Sequence, residues 1–289
     1  MANLRKIRTR IKSVESTRQI TKSMKMVAAA KLRRTQASFN AQRDFAARCA
    51  AVLSEVSVAV PDPHDPLLLP HPAVKTVCWV LVVGNRGLCG TYNHALLRYV
   101  EELARADGRD CFLVVCGRWG RDLLPGTGLR VERSFEISDT PTSAEAAELA
   151  AFLRELYLSG RADEIRLVYQ QYRSVLQQTP GEKRLLPIPL EEGTGGAREY
   201  LFEPDRDALL EKLLGLYLQN TVHSVLLEAR TGEHSARMTA MTAAADNTEE
   251  LIGELTLELN HARQSAITTE ISEIVGGAAA LRRDGAGAP

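Results

Sequence analysis

No glycine or proline occurs before Pro61, and the first glycine is Gly84. Sixty residues without either breaker leave the chain few local choices, and the apolar spacing selects helix among them. Leu4, Ile7, Ile11 and Val14 step by three and four; Phe39, Gln42, Ala46, Cys49, Leu53, Val56 and Val60 step likewise, with one polar member. Residues 205–275 again lack proline and hold only Gly215, Gly232 and Gly253, and there Ile252, Leu255, Leu259, Ala262 and Ala266 repeat the pattern. Such sustained spacing predicts a coiled coil. A helix of about 55 residues would run roughly 80 Å, longer than a compact domain can hold, and a lone polar helix of that length frays. The two ends of the chain are therefore expected to pair with each other, antiparallel, around whatever lies between.

Charge supports the pairing. Residues 1–36 carry eleven bases against one acid, Glu15, whereas residues 228–275 carry nine acids against three bases. Each exposed pair contributes only about 0.2–1 kcal/mol, so the bias selects a partner more than it stabilises one. After Val14 the next seam places fall on Arg18 and Thr21, and the stepping is expected to resume out of phase at Ile20, Met24 and Val27. In the other stretch, residues 235–245 are mostly small or polar. A broken register loosens a supercoil locally, so this half is expected to be shaped for a further partner.

Between the ends, five of the twelve prolines crowd into residues 61–72 and mark a linker. Residues 74–83, 111–116 and 164–169 are short apolar β-branched runs typical of buried parallel strands. Residues 130–137 and 184–190 are weaker strand candidates, and residues 92–106 and 143–158 have helical spacing, the latter capped by Thr142 or Ser143 ahead of Glu145. The expected fold class is α/β: a long antiparallel α-helical coiled coil from the N- and C-terminal helices plus a central Rossmann-like α/β domain. The expected boundaries are 1–60 for the first helix, 61–73 for the linker, 74–204 for the central domain, 205–281 for the second helix and 282–289 for a tail.

Few classes of chemistry survive inspection. The longest apolar run, residues 77–83, is far short of the roughly 20 residues a bilayer requires, and no apolar stretch follows the basic start as in a secretory signal. Five cysteines without tight spacing predict reduced thiols, no zinc site and a cytosolic setting. Six scattered histidines show no metal spacing. Gly84-Asn85-Arg86-Gly87-Leu88-Cys89-Gly90 sits between a strand and a helix, where a phosphate site would lie, but lacks both the G-x-G-x-x-G pattern and a P-loop lysine. A structural or contact loop is the expectation. Cys89 has no histidine near in sequence except His94, so a plain thiol is favoured over a nucleophile. The basic helix could follow a nucleic-acid or anionic-lipid surface, yet no aromatic residue interleaves it before Phe39. That binding role stays as the alternative.

Three motifs add a resemblance. The run from Ile20 to Arg34, Ile-Thr-Lys-Ser-Met-Lys-Met-Val-Ala-Ala-Ala-Lys-Leu-Arg-Arg, resembles the N-terminal signature of the gamma subunit of F-type ATP synthases. Residues 233–241, Asp246-Asn247 and residues 262–281 resemble its C-terminal signature, and Arg86-Gly87-Leu88-Cys89-Gly90 its central motif. Gly84-Asn85 stands where Ser-Asp is usual, and Thr91-Tyr92 replaces a Gly-Phe type pair. Residues 190–200 are short and cysteine-free, unlike the regulatory insertion of chloroplast forms, so a bacterial type fits better.

The resemblance implies a central rotor that passes torque between a membrane c-ring and catalytic beta subunits, coupling ion flow to ATP synthesis. It implies a non-catalytic subunit of an enzyme complex, with no catalytic residue, cofactor or metal of its own. Its partners would be the alpha3-beta3 hexamer, the epsilon subunit and the c-ring, with no nucleic acid. Its place would be peripheral, on the cytoplasmic face of the bacterial membrane. Carried over by motif, Met24, Lys25, Arg237, Gln264, Thr268 and Glu270 would face the beta subunits, and Arg86 and Cys89 would lie on a loop facing the stator ring.

Overall fold

The computed structural model describes residues 2–59, 65–123, 128–189 and 206–284. Val60, the start of the proline linker, residues 190–200 and the last five residues of the tail therefore lie outside the described residues. In chain order the elements are α1 (Ala2–Ala59), β1 (Thr76–Val82), α2 (Tyr92–Asp107), β2 (Asp110–Cys116), α3 (Arg118–Leu123), β3 (Val131–Phe135), α4 (Ser143–Leu158), β4 (Glu164–Tyr172), β5 (Gln178–Leu186) and α5 (Arg206–Asp284). The fold class expected from the sequence is the one found. Packing divides the chain into two compact units, Met1–Met26 with Met241–Pro289, and Val27–Ala240.

The second unit is built on a five-stranded sheet of order β3-β2-β1-β4-β5. β1 pairs in parallel with β2 and β4, β2 in parallel with β3, and β5 closes one edge antiparallel to β4. Both faces of the central strands are covered, which explains why β1 reads as a continuous apolar run. Val77, Trp79, Leu81, Leu113, Val115 and Val168 pack with Leu96 and Val100 of α2. On the other face Val80, Phe112, Val114 and Leu167 pack with Leu149 and Leu153 of α4, Leu53 of α1, and Leu214, Leu218 and Val225 of α5. α4 begins at the foreseen cap: Thr142 accepts from the Glu145 backbone N–H, and Glu145 accepts from that of Thr142.

Two details depart from the sequence reading. The last strand begins at Gln178, earlier than residue 184, because a turn at 173–177 folds β5 straight back onto β4. Pro180 interrupts the pattern but is tolerated on an edge strand. The short helix α3 was not foreseen.

The seam holds its register. Thr21 and Ala28 are buried and Arg18 is half-buried, while Ile20 and Val27 are each 57% exposed. The expected shift to Ile20 and Val27 does not occur, and of that set only the half-buried Met24 takes a seam place. One three-four series runs from Leu4 through Thr21, Met24 and Ala28 to Val56 without an exposed member, with Leu32, Thr35 and Phe39 buried in phase. A supercoil changes phase only through an insertion or deletion in its repeat, and small or internally bonded side chains cost less. Thr21 Oγ1 donates to the Arg18 carbonyl at 2.9 Å and Thr35 Oγ1 to that of Lys31 at 3.1 Å, which satisfies both hydroxyls. On α5 the same spacing runs from Leu213 to Ala266 without an exposed member. Rising numbers on α1 meet falling numbers on α5: Arg18 donates to Glu249 and Gln42 to Asn220. Among the described residues the basic flank meets the acidic one only through Glu249, which pairs with Arg18 at 3.5 Å and Lys22 at 3.9 Å.

Candidate functional site

β1 delivers its last residues into the 84–90 loop, and α2 starts directly after it. Hydrogen bonds hold this loop from several sides. The Gly84 N–H donates to Asn93 Oδ1 at 2.9 Å, the Trp119 N–H donates to the Gly84 carbonyl at 3.2 Å, Asn85 Nδ2 donates to the Ile137 carbonyl at 2.7 Å, and the Cys89 thiol donates to the Arg86 carbonyl at 3.7 Å. Leu88 takes a left-handed backbone, φ 59°, and is 63% exposed. Cys89 is only 3% exposed, and burial pushes its thiol pKa up, so it is neither a thiolate nor an outward group.

Against the loop lies one stretch of α5. Arg230 is 1% exposed and uses all five of its N–H groups. Nε donates to the Ser138 carbonyl at 3.2 Å. Nη1 donates to Val83 O at 3.2 Å and to Glu233 Oε2 at 2.6 Å, and Nη2 donates to Asn85 Oδ1 and Ile137 O, both at 3.0 Å. The other Glu233 oxygen accepts from Arg237 Nη2 at 2.7 Å, and Arg237 also donates to the carbonyls of Arg86 at 3.0 Å and Gly87 at 3.2 Å. Burial alone would push the Glu233 carboxyl up, but Arg230 and Arg237 outweigh it and hold it below the usual range. Burial keeps His234, beside Arg237, below its ordinary value. Lys31 donates to Asp139 and, as the largest influence, draws its pKa down to about 2.

Two glycines permit this approach. A Cβ at Gly84 would lie 2.9 Å from the Glu233 carboxyl carbon, and one at Gly117, where φ is 116°, would lie 2.3 Å from the Val83 carbonyl oxygen. The α5 helix is tied on its other side as well. Tyr92 Oη donates to Ala229 O at 2.6 Å, Ser235 Oγ to Val175 O at 2.7 Å, and the Tyr172 N–H to Glu228 Oε1 at 2.9 Å. No group of three or more metal-ligating side chains occurs among the described residues, and no helix there is long and apolar enough to cross a membrane.

A family model described as ATP synthase matches residues 3–281. ATP synthase gamma chains are similar nearly end to end: that of Desulforamulus reducens is 46% identical over 284 residues, covering 97% of this chain and all of that one. That of Moorella thermoacetica is 44% identical, covering 98% and 100%. The chain belongs to the ATP synthase gamma-chain family. Its function is that of the F1 gamma subunit, and the basic-helix alternative, a nucleic-acid or anionic-lipid binder, finds no support in these relatives. A chain of the Euglena gracilis mitochondrial ATP synthase has the same fold, with a TM-score of 0.70 at 20% identity, covering 100% of this chain and 97% of that one. A central-stalk chain from Tetrahymena thermophila gives 0.59 at 24% identity, covering 78% and 99%.

The motif residues of this gamma-family chain separate into two groups. Met24 is half-buried, and Lys25, Gln264, Thr268 and Glu270 are exposed; all five lie in the first unit. Arg86, Cys89 and Arg237 come together in the second. Arg237 departs from the outward place expected of it, and Cys89, on the loop, turns its thiol inward. Both side chains point inward, Arg237 onto the 84–90 loop and Cys89 beneath it, because the loop carbonyls and Asn93 offer them partners there. Arg86 and Leu88 carry the exposed side chains of the loop. Arg230 and Glu233 were missed as site residues. Glu233 was grouped with the acids facing the basic helix, whereas its partners are Arg230 and Arg237. The signal was present in the i, i+3 and i, i+4 spacing of opposite charges on one helix face.

Proposed function

We propose that this chain is the torque-bearing rotor of an F1 sector, passing rotation between a membrane c-ring and three catalytic beta subunits while making and breaking no bond itself. Its partners in this reading are the alpha3-beta3 hexamer, the epsilon subunit and the c-ring, at the cytoplasmic face of a bacterial membrane. The Euglena chain comes from an OSCP/F1/c-ring assembly, which supports the F1 and c-ring contacts.

The observation that carries the reading is an inversion of ordinary helix patterning. Over α1 residues 18–28 the seam takes Arg18, Thr21 and Ala28, while Ile20, Met26 (65% exposed) and Val27 face outward. A helix in water exposes its polar residues and buries its apolar ones. Apolar groups left outside while Arg18 and Thr21 take seam places call for an apolar cover. α5 beyond Ala266 also leaves apolar groups uncovered: Ile267, Ile271, Ile274 and Val275 are all exposed. Both faces fit a sleeve in which the helices turn. Met24 and Lys25 lie within residues 18–28, Thr268 and Glu270 lie beyond Ala266 and Gln264 just before it, and all five are assigned to beta contacts.

A shaft that differs from side to side presents different contacts to three identical sites and so biases their conformations differently. Rotation exchanges the biases, and a contact shifts an equilibrium only by its differential free energy for the two states. Ile20→Asp with Met26→Asp tests the reading in a rebuilt complex. Helix content of the free chain is expected to hold, because both sites are exposed, while retention on an alpha3-beta3 hexamer falls about tenfold or more, equivalent to about 1.4 kcal/mol. Unchanged retention and unchanged proton pumping would overturn it.

A further inference from the structure

An open α/β sheet binds ligands beyond the carboxyl ends of its strands, where successive connections leave to opposite sides. Beyond the carboxyl ends of β1 and β3 lies a buried crevice lined by acceptors: the carbonyls of Val83, Ile137 and Ser138 and the amide oxygen of Asn85. An anion would find only repulsion there, whereas a planar cation with five N–H groups finds a partner for each. Arg230 is that cation, so the crevice of the sheet is filled by a side chain of α5.

The neighbouring turn is held by the same helix. Leu88, bulky and left-handed, persists in such a backbone only where its surroundings impose it. The carbonyls of the two preceding residues, Arg86 and Gly87, both accept from Arg237. Glu233 gives one oxygen to each guanidinium, and Gly84 leaves room for its carboxylate. One carboxylate thus joins the cation in the crevice to the cation on the turn.

Apolar packing between α5 and the sheet is non-directional and resists sliding or rotation weakly. Charge-assisted hydrogen bonds are short and directional, and they do resist it. Resting on the rotor reading above, we propose that Glu233 is a positioning residue that fastens the Arg86–Leu88 turn and the sheet crevice to α5, so that load between sheet and helix passes through the Arg230–Glu233–Arg237 lock. Asn85 is neutral, so among the described residues Glu233 is the one carboxylate that bonds Arg230.

The test rebuilds the complex with the full chain in liposomes and reads protons moved per ATP hydrolysed, a ratio that the amount of incorporated chain does not alter. Glu233→Gln is expected to lower it about threefold or more, since two buried guanidiniums lose their counter-charge. Arg230→Ala is expected to lower it too, and ethylguanidinium, which supplies the missing atoms, is expected to restore it where ethylammonium does not. A wild-type ratio in Glu233→Gln, or equal effects of the two cations on Arg230→Ala, would overturn the lock. In the free full chain, Glu233→Gln is expected to speed hydrogen exchange of the 84–90 amides while β1 stays protected, and unchanged exchange would overturn the lock independently of any complex. A wild-type complex that fails to pump would instead count against the rotor reading.

Discussion

The two units of this chain are stabilised in different ways. Val27–Ala240 closes a sheet between helices, with Trp79, Phe112, Leu153 and Tyr157 almost wholly removed from water. In Met1–Met26 with Met241–Pro289, the buried side chains among the described residues are Ile7, Thr21, Met241, Ala245 and Leu255, a single row. Stabilisation by burial scales with apolar area, so the first unit derives little from mass and depends on an unbroken register. The contrast shows how one chain combines a body that resists deformation with a helical pair whose outer face stays free for other surfaces.

Substitutions should make the difference measurable. Phe112→Ala removes a ring from the fully buried sheet core and is expected to cost about 3–5 kcal/mol, read by urea unfolding of the free chain. A loss below about 1 kcal/mol would contradict the packing. Gly117→Ala places a methyl group against the Val83 carbonyl at a left-handed backbone position, and a cost of roughly 2–3 kcal/mol is expected. Leu255→Ala acts on the single row and should cost about 2 kcal/mol, near the low end for such truncations because half-exposed surroundings can close around it. Its effect should appear as faster hydrogen exchange in residues 241–266 with the sheet unchanged; exchange accelerated equally in both units would remove the contrast.

Acid should distinguish the units as well. Asp139, drawn from the ordinary 3.8 to about 2, and Glu233, also lowered, are both in the second unit. A carboxyl with a depressed folded value binds protons more readily when unfolded, so its stabilisation is complete above the ordinary carboxylate range. It is lost as pH falls through the folded value. Sheet amides should therefore lose protection progressively below about pH 4, and Asp139→Asn should flatten that decline; a profile identical to wild type would refute the assignment. Smallest of all, Glu249→Gln removes the exposed contacts with Arg18 and Lys22 and should cost under about 1 kcal/mol, less in high salt. A larger, salt-independent loss would mean that the seam relies on charge.

Much of this fold was legible in advance. The absence of breakers and the three-four spacing mark α1 and α5, the β-branched runs mark β1, β2 and β4, and Thr142 with Glu145 marks the start of α4. Residues 18–28 were misread because hydrophobicity was taken to mean burial, and Ile20 and Val27 were assigned inward. The chain places Thr21 and Ala28 there instead, since continuity of the supercoil outweighs the apolar preference of any one residue. The loop motif was visible, but the orientation of Cys89 and Arg237 was not. A side chain's direction depends on which groups stand opposite it: those for Arg237 come from about 150 positions away, and those for Cys89 from the turn that Arg237 itself holds.

The order of residues alone determined that the ends of this chain would be long helices, that they would pair, and that an α/β sheet would lie between them. These outcomes rest on local spacing and on the few residues that break a helix. Only the tertiary structure decided which side of each helix stays outside and that Arg230 closes the crevice of the sheet. Those choices depend on partners distant in sequence, where geometry and the cost of a buried unpaired charge select the arrangement.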